Sequence, residues 1–156
     1  MFDPNRLHTV KINWSYPREY DNDFNGFENH PLANAKGLYC ISRKWAGKNE
    51  KIIYIGKTTR SFKKRIKEHI EKDISEWTKV RGKFVIRLGS LDEKDLEGFE
   101  EYNQVIEDIE SALIFEVDPD CNRQKSKSYT RMYDLLIINM QYRGLITKEI
   151  CNRDHG

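Results

Sequence analysis

Apolar and polar residues alternate in two separate stretches of the chain, a pattern typical of β-strands with one buried face. The first stretch is Val10, Ile12 and Trp14, and the second is Phe84, Ile86 and Leu88. Between them, residues 37–41 and 51–55 are short apolar runs with β-branched side chains, separated by a polar segment that contains Gly47. These two runs predict an antiparallel hairpin. The pattern therefore predicts a sheet of three central strands, preceded by one additional N-terminal strand.

Apolar residues recur at helical spacing in three further segments. Phe62 and Ile66 follow Ser61, a good N-cap, so we expect a helix to begin there. A second amphipathic helix is predicted over residues 96–117, where Asp118 and Pro119 end it. Residues 130–140 predict a buried third helix. The expected order is β-β-α-β-α-α. This is an α/β (α+β) domain with a small antiparallel or mixed three-stranded sheet flanked by helices.

The chain has 156 residues, no internal repeat and no linker long enough to separate two domains. We predict an N-terminal extension over residues 1–35, which holds the additional strand and a loop. The main domain is expected over residues 36–150, including the C-terminal helix, and a tail over residues 151–156.

Composition excludes several classes of protein. No apolar run approaches the roughly 20 residues that cross a bilayer, and the N-terminus lacks the basic and then apolar layout of a secretory signal. Cys40, Cys121 and Cys151 are widely scattered. They fit reduced thiols better than a disulfide framework, and no Cys/His spacing suits structural zinc. We expect an intracellular protein, cytoplasmic or in the nucleoid or nucleus, with no membrane partner.

The formal net charge is only +2, which argues against binding nucleic acid through bulk charge. The distribution along the chain changes this picture. Residues 51–72 contain eight basic and two acidic residues, for a local charge of +6, whereas residues 92–120 contain twelve acids and one base, for −11. Such runs usually form solvated helix faces. They also fit a basic surface for a polyanion beside an acidic site for a cation, and both interpretations can hold together.

Three residues lie where a helix would present them to a cleft. Arg65 and His69 are at positions i and i+4 of the first predicted helix, at the margin of its buried stripe. Glu110 has the same kind of position on the second. A single carboxylate with open coordination positions suits Mg²⁺ or Mn²⁺, and Glu116 is a rival ligand. Structural alternatives remain for each: an arginine paired with an acid, a core histidine and a surface glutamate.

The order of these residues resembles the GIY-YIG nuclease domain. The resemblance rests on Gly37-Leu38-Tyr39, Tyr54-Ile55-Gly56-Lys57-Thr58, Arg65 and His69 on a helix, Glu110 before Leu113-Ile114, and Asn122. The series covers residues 37–122, or 86 of the 156 residues. Leu38 replaces the isoleucine of the family name. Tyr39 and Tyr54 are 15 residues apart, more than the family's common spacing, and we expect a longer hairpin loop over residues 43–50 to absorb the difference.

The resemblance implies a metal-dependent DNA endonuclease that hydrolyses phosphodiester bonds with one divalent metal, Mg²⁺ or Mn²⁺. Tyr39 would activate or orient the attacking water, and Tyr54 would support it or contact the phosphate. Arg65 would stabilise charge on the scissile phosphate, with His69 assisting. The catalytic positions implied by the match are Tyr39, Tyr54, Lys57, Arg65, His69 and Asn122, and the implied metal ligand is Glu110.

A phenol with a pKa of about 10 is a poor base at neutral pH. Tyr39 would therefore need a pKa lowered by Lys57, His69 or the metal, or a deprotonated partner, to remove a proton from water. The alternative for Tyr39 and Tyr54 is that they are ordinary strand aromatics that pack across the hairpin.

Basic residues near the motif are candidates for contacts with the nucleic acid backbone. They are Arg43, Lys44, Arg60, Lys63, Lys64, Arg123, Lys125 and Lys127. DNA is the expected partner. No zinc-finger spacing or helix-turn-helix remains, so target choice must come from the N-terminal segment, from loops at residues 90–94 and 122–129, from a homodimer or from a targeting subunit.

Two other functions stay open. One is a catalytically inactive nucleic-acid-binding module of the same fold, and the other is an interaction protein whose Glu-rich face pairs with a basic partner. Every catalytic-type position of the motif is occupied, which favours the enzyme.

Overall fold

The computed structural model describes residues 6–47, 49–122, 125 and 127–155. Its strands are β1 (His8–Trp14), β2 (Arg18–Tyr20), β3 (Gly37–Trp45), β4 (Asn49–Thr58), β5 (Lys83–Leu91), β6 (Leu135–Gln141) and β7 (Glu149–Cys151). Its α-helices are α1 (Phe62–Lys72), α2 (Ile74–Trp77), α3 (Glu93–Leu96) and α4 (Tyr102–Val117). Short 3₁₀ turns span Phe27–Asn29 and Asn152–His155. No helix in these ranges is long and apolar enough to cross a membrane.

The strands form one mixed sheet in the order β4-β3-β5-β1-β6-β7, and β2 pairs with β5 beside β1. The predicted three-stranded unit is β4-β3-β5, in which β3 is antiparallel to both neighbours. The α/β class is thus confirmed. Strands from both ends of the chain widen the sheet, because β1 is antiparallel to β5 and parallel to β6.

The helix predicted over residues 130–140 is wrong, because this segment contains strand β6. Its burial alternates, with Leu135, Ile137 and Asn139 inside. The periodicity of a short apolar run does not distinguish a buried helix from a buried strand. This segment is a strand because it pairs with β1, which lies far away in the sequence. The carboxylate of Asp108 accepts hydrogen bonds from the backbone N–H groups just before β6, at 3.0 and 2.8 Å.

The second predicted helix begins later than expected. Residues 96–117 contain the end of the short helix α3, then Gly98 with a φ of +89°, and only then α4. The C-terminal end falls where the sequence places it. Asp118 has a left-handed φ of 52°, and its N–H donates to the carbonyl of Ile114 at 2.8 Å.

The sheet separates two cores. Successive residues of a strand point to opposite faces, so β3 sends Leu38 and Cys40 toward α4 and sends Tyr39 and Ile41 toward α1 and α2. The strand β4 lies at the edge of the sheet. Side chains from both layers can therefore meet around its free edge, and the candidate site lies there.

Candidate active site

Two glycines of the hairpin allow close contacts that no other residue would permit. A Cβ at Gly56 on β4 would overlap the ring and hydroxyl of Tyr39. A Cβ at Gly37, which has a φ of +145°, would overlap the carbonyl oxygen of Gly89 on β5. The first glycine thus lets the Tyr39 ring lie flat across the neighbouring strand, and the second lets β3 start close against β5.

Tyr39 and His69 form a buried pair at the back of the site. The hydroxyl oxygen of Tyr39 lies 2.5 Å from Nε2 of His69, and Nδ1 of His69 lies 2.7 Å from a carboxylate oxygen of Asp73. Tyr39 is fully buried and His69 is 1% exposed. Burial raises the pKa of Tyr39 well above its ordinary value and lowers the pKa of His69, which keeps the imidazole neutral at pH 7.

Tyr54 and Arg65 separate this pair from solvent. The Tyr54 ring stacks on Tyr39, with centroids 6.1 Å apart, and packs against His69 at 4.9 Å. The guanidinium of Arg65 lies close to the hydroxyls of both tyrosines, and its charge acts on both. Burial raises the pKa of Tyr54, and the guanidinium of Arg65 opposes that shift. Both Tyr54 and Arg65 also line an open cleft.

The cleft combines basic and acidic side chains. Its lining consists of Tyr54, Lys57, Thr58, Thr59, Arg60, Arg65, Glu107, Glu110 and Lys125. The predicted catalytic residues Tyr54, Lys57 and Arg65 therefore share one surface with the predicted metal ligand Glu110. Tyr39 and His69 lie directly behind that surface.

Glu110 is the most protected carboxylate of the cleft, with its side chain 13% exposed. Burial raises its pKa, and the nearby ammonium of Lys125 opposes the shift. Lys125 Nζ lies 2.9 Å from Oε1 of Glu110 and also contacts Glu107, which pairs with Lys57 at 3.2 Å. Two carboxylates thus share one ammonium. Glu116, the rival ligand, is outside the cleft lining and pairs with His155 at 3.1 Å.

This donor set fits a hard divalent cation. The oxygens of Glu107 and Glu110 already hold a positive group between them. Among the described ranges, no three His, Cys, Asp or Glu side chains cluster as a complete metal cage. Mg²⁺ and related ions keep several waters and take one or two carboxylates plus substrate phosphates, so two carboxylates in an open cleft are sufficient.

Asn122 lies beside the cleft, but its side chain binds backbone. Its Oδ1 accepts from the N–H of Ile55 at 2.8 Å and its Nδ2 donates to the carbonyl of Ile55 at 2.9 Å. The neighbouring Cys121 N–H donates to the carbonyl of Ile53. The amide therefore fastens the segment after α4 to the free edge of β4, next to Tyr54.

Arg43 is incorrectly predicted as a nucleic-acid contact. It is 3% exposed, its Nε donates to the carbonyl of Val80 at 2.6 Å, and its guanidinium lies 4.1 Å from the centroid of the Phe84 ring. The expected loop over residues 43–50 is largely strand, since β3 runs to Trp45 and β4 begins at Asn49. The additional residues between Tyr39 and Tyr54 therefore lengthen the two strands, and Arg43 is buried within β3.

The other basic candidates differ in how accessible they are. Lys63, Lys64 and Lys127 are exposed. Lys44 pairs with Glu19 at 3.5 Å, and Arg60 is an exposed partner of Glu68. Lys125 is occupied by the two carboxylates, as described above. Arg123 lies outside the described residues.

Sequence reasoning missed two members of the site. Asp73 is four residues after His69, and Glu107 is three residues before Glu110, so each pair lies on one helical face. That spacing is a usable signal. For Asp73 the signal is weak because α1 ends just before this residue. For Glu107 it is weak because helical position alone places this residue farther from the buried stripe than Glu110.

A family model described as the GIY-YIG catalytic domain matches residues 35–118, more than half of the chain. No curated protein and no solved structure matches. This family match implies a nuclease-type domain with a nucleic acid substrate. The chain belongs to the GIY-YIG family, and the resemblance drawn from its sequence is confirmed.

Proposed function

We propose that this protein is a metal-dependent endonuclease that hydrolyses phosphodiester bonds of DNA in the cleft beside Tyr54. The observation that carries the proposal is the position of Arg65. It lines the cleft and at the same time lies close to the hydroxyls of the two tyrosines that pack against His69. One guanidinium thereby joins the surface that would hold a phosphate to the buried pair that would move a proton.

The positive groups of the cleft suit the charge of the reaction. A phosphodiester is an anion, and the transition state of its hydrolysis gathers further negative charge on the phosphoryl oxygens. Arg65 can donate two parallel hydrogen bonds to such oxygens, and Lys57 adds a point charge on the same wall. These groups are in place before the substrate arrives, so little reorganisation is needed when charge develops.

Tyr39 and His69 provide the proton transfer. Tyr39 has a raised pKa, so it does not act as a standing phenolate, and the deprotonated partner it requires is the neutral His69. The water oxygen forms a bond to phosphorus while the bond from phosphorus to the leaving oxygen breaks. A water proton passes to the Tyr39 oxygen as the Tyr39 proton passes to Nε2 of His69, and the leaving alkoxide takes a proton from solvent.

Access to Tyr39 requires a movement of Arg65. Tyr39 is fully buried, and Arg65 lies close to its hydroxyl while also lining the cleft. When the guanidinium turns toward a bound phosphate, the hydroxyl becomes reachable from the cleft. Substrate binding and exposure of the proton acceptor are then one event.

Glu110 and Glu107 would hold the divalent metal. Bound there, Mg²⁺ or Mn²⁺ supplies a Lewis acid for the phosphoryl oxygens. Lys125 occupies these carboxylates in the described conformation, so it must leave them for a metal to bind.

The test is incubation of the purified protein with supercoiled, branched and single-stranded DNA, with Mg²⁺, with Mn²⁺ or with EDTA. We expect nicking or cutting of at least one DNA with metal, none with EDTA, and loss of at least about 100-fold in Glu110→Gln. Glu116→Gln, on the same helix but outside the cleft, is the matched control and should cut normally. If the protein binds DNA but cuts none in the presence of any metal, the proposal is wrong and the chain is a catalytically inactive binding module of the same fold.

A further inference from the structure

Asp73 lies just beyond the C-terminal end of α1, inside the matched range 35–118 but not among the residues that carry the sequence resemblance. We propose that Asp73 is a positioning residue: it keeps the proton of His69 on Nδ1, so that Nε2 accepts the hydrogen bond of the Tyr39 hydroxyl. This inference rests on the proposed function, because it assigns the direction in which the proton of Tyr39 moves.

The direction follows from which groups can donate. An ionised carboxylate only accepts hydrogen bonds, so the 2.7 Å contact between Asp73 and Nδ1 requires a hydrogen on Nδ1. A neutral imidazole carries one N–H, and burial keeps His69 neutral. Nε2 therefore has a free lone pair and must accept from Tyr39 across the 2.5 Å contact. With the opposite tautomer, Nε2–H would point at the phenol oxygen and His69 could not take its proton.

Packing holds the imidazole ring but does not choose the tautomer. The ring lies 4.7 Å from the centroid of Trp77 and 4.9 Å from that of Tyr54. These aromatic faces fix the ring plane equally well for either tautomer. The choice depends on the group that faces Nδ1, and that group is the carboxylate of Asp73.

The other charged groups around His69 do not compete for Nδ1. Arg65 and Glu68 on α1 act on the ring through space, and Tyr39 and Tyr54 face it from β3 and β4. Within the described part of the chain, the two side chains with a hydrogen bond to the ring are those of Tyr39 and Asp73. Each ring nitrogen thus has one partner.

Asp73 can be changed without breaking the helix end. Its backbone N–H donates to the carbonyl of His69 at 2.7 Å, and any residue except proline keeps that bond. Its side chain is 46% exposed, so an amide there leaves no buried group without a partner. Asp73→Asn keeps the shape and removes the obligatory acceptor, and Asp73→Ala replaces the carboxylate by solvent.

The first readout is the ¹⁵N NMR signature of the His69 ring, recorded on the full chain without DNA or metal. In the wild type we expect the ¹⁵N chemical shift of Nδ1 to be that of a protonated ring nitrogen. The chemical shift of Nε2 should be that of an unprotonated, pyridine-like nitrogen. In Asp73→Asn and Asp73→Ala we expect both resonances to move toward intermediate values, because either nitrogen can then carry the proton. A wild-type Nε2 that is protonated, or variants with unchanged resonances, would overturn the proposal.

The second readout is cleavage of the DNA that the wild type cuts. We expect kcat to fall by about 10- to 100-fold in both Asp73 variants, the usual effect of removing a partner that orients an active-site imidazole. KM should change less than twofold. Glu71→Gln, which removes an equal charge from an exposed position of α1, should match the wild type in both readouts. Equal kcat in Asp73→Asn and wild type would contradict the inference. If the wild type cuts no DNA, the proposed function fails, whereas the ring resonances still decide the role of Asp73.

Discussion

Lys125 Nζ lies 2.9 Å from Oε1 of Glu110, and the same ammonium contacts Glu107. The chain thus supplies its own cation to the carboxylates that we assign to the metal. Lys125 comes from the segment after α4, and its sequence position suggested a nucleic-acid contact. Its location predicts that it also competes with the metal for these two carboxylates.

Lys125→Met should therefore bind Mn²⁺ more tightly than the wild type. An ion pair of this partly exposed kind contributes about 1 kcal/mol, so its removal should raise the affinity about fivefold. Isothermal titration with Mn²⁺, without DNA, measures this directly. Lys127→Met, an exposed neighbour, controls for the change in total charge. An affinity that stays the same or falls in Lys125→Met would mean that the lysine does not compete.

The two tyrosines should differ when each loses its hydroxyl. Tyr39→Phe keeps the ring that packs on Gly56 and Phe62 but breaks the hydrogen bond to His69, so we expect kcat to fall by at least about 100-fold. Tyr54→Phe should lower kcat about tenfold, since Tyr54 lines the cleft where we propose that the phosphate binds. Single-turnover cleavage measures both. A larger loss in Tyr54→Phe would exchange the two roles.

Arg43 and Lys64 should separate stability from DNA binding. Arg43→Ala removes a buried guanidinium that donates to Val80 and to Asn22, so the free energy of unfolding should fall by about 2 to 4 kcal/mol. Urea denaturation measures this loss. Lys64→Ala should leave stability unchanged, weaken DNA binding and reduce the salt slope of log Kd by about one. Reduced DNA affinity in a folded Arg43→Ala with normal stability would restore the original assignment of Arg43.

Stability should decline on acidification partly through His30. Burial lowers the pKa of His30, and Arg18 adds to that effect. The unfolded chain then binds more protons than the folded one, so this contribution is complete above about pH 6.5 and is lost as the pH falls toward the folded pKa. Burial also lowers the pKa of His69, with the same sign.

His30→Asn isolates the contribution of His30. The N–H of Leu32 donates to Nδ1 of His30 at 3.0 Å, and an asparagine oxygen can accept the same bond without titrating. We expect the loss of unfolding free energy between pH 7.5 and pH 5.5, measured by urea denaturation, to be smaller in the variant. An identical loss in both proteins would show that His30 does not contribute.

Local signals predicted the parts of the molecule that depend on local sequence. Ser61 caps α1, accepting from the N–H of Lys64 at 3.2 Å, and Asp118 ends α4 where its sequence indicates. Strand β6 depends on pairing with β1, and the burial of Arg43 depends on Asn22 and Val80. The spacing of apolar residues along the chain carries no information about such long-range contacts. These features could therefore be recognised only in the folded structure.

In the candidate site, too, local sequence predicted some features, and others depend on long-range contacts. Arg65 lies half-buried at the margin of the core, as its helical position predicts, and lines the same cleft as Glu110. His69, from the same helix, is instead buried behind that cleft. Lys125 reaches Glu110 from beyond the end of α4, and Asn122 reaches Ile55 across 67 positions. These relationships come from the fold of the chain around the edge of β4.

The parallel pairing of β1 with β6 joins residues that are 127 positions apart, from His8 with Leu135 to Trp14 with Gln141. During synthesis β1 is made before β6, and every residue of the candidate cleft is made between them. Contacts of such long range form slowly. A chain interrupted before residue 135 leaves β1 with an open apolar edge, which is a template for pairing between molecules. Forms of this chain that end before residue 135 are therefore expected to aggregate rather than to persist as small folded domains.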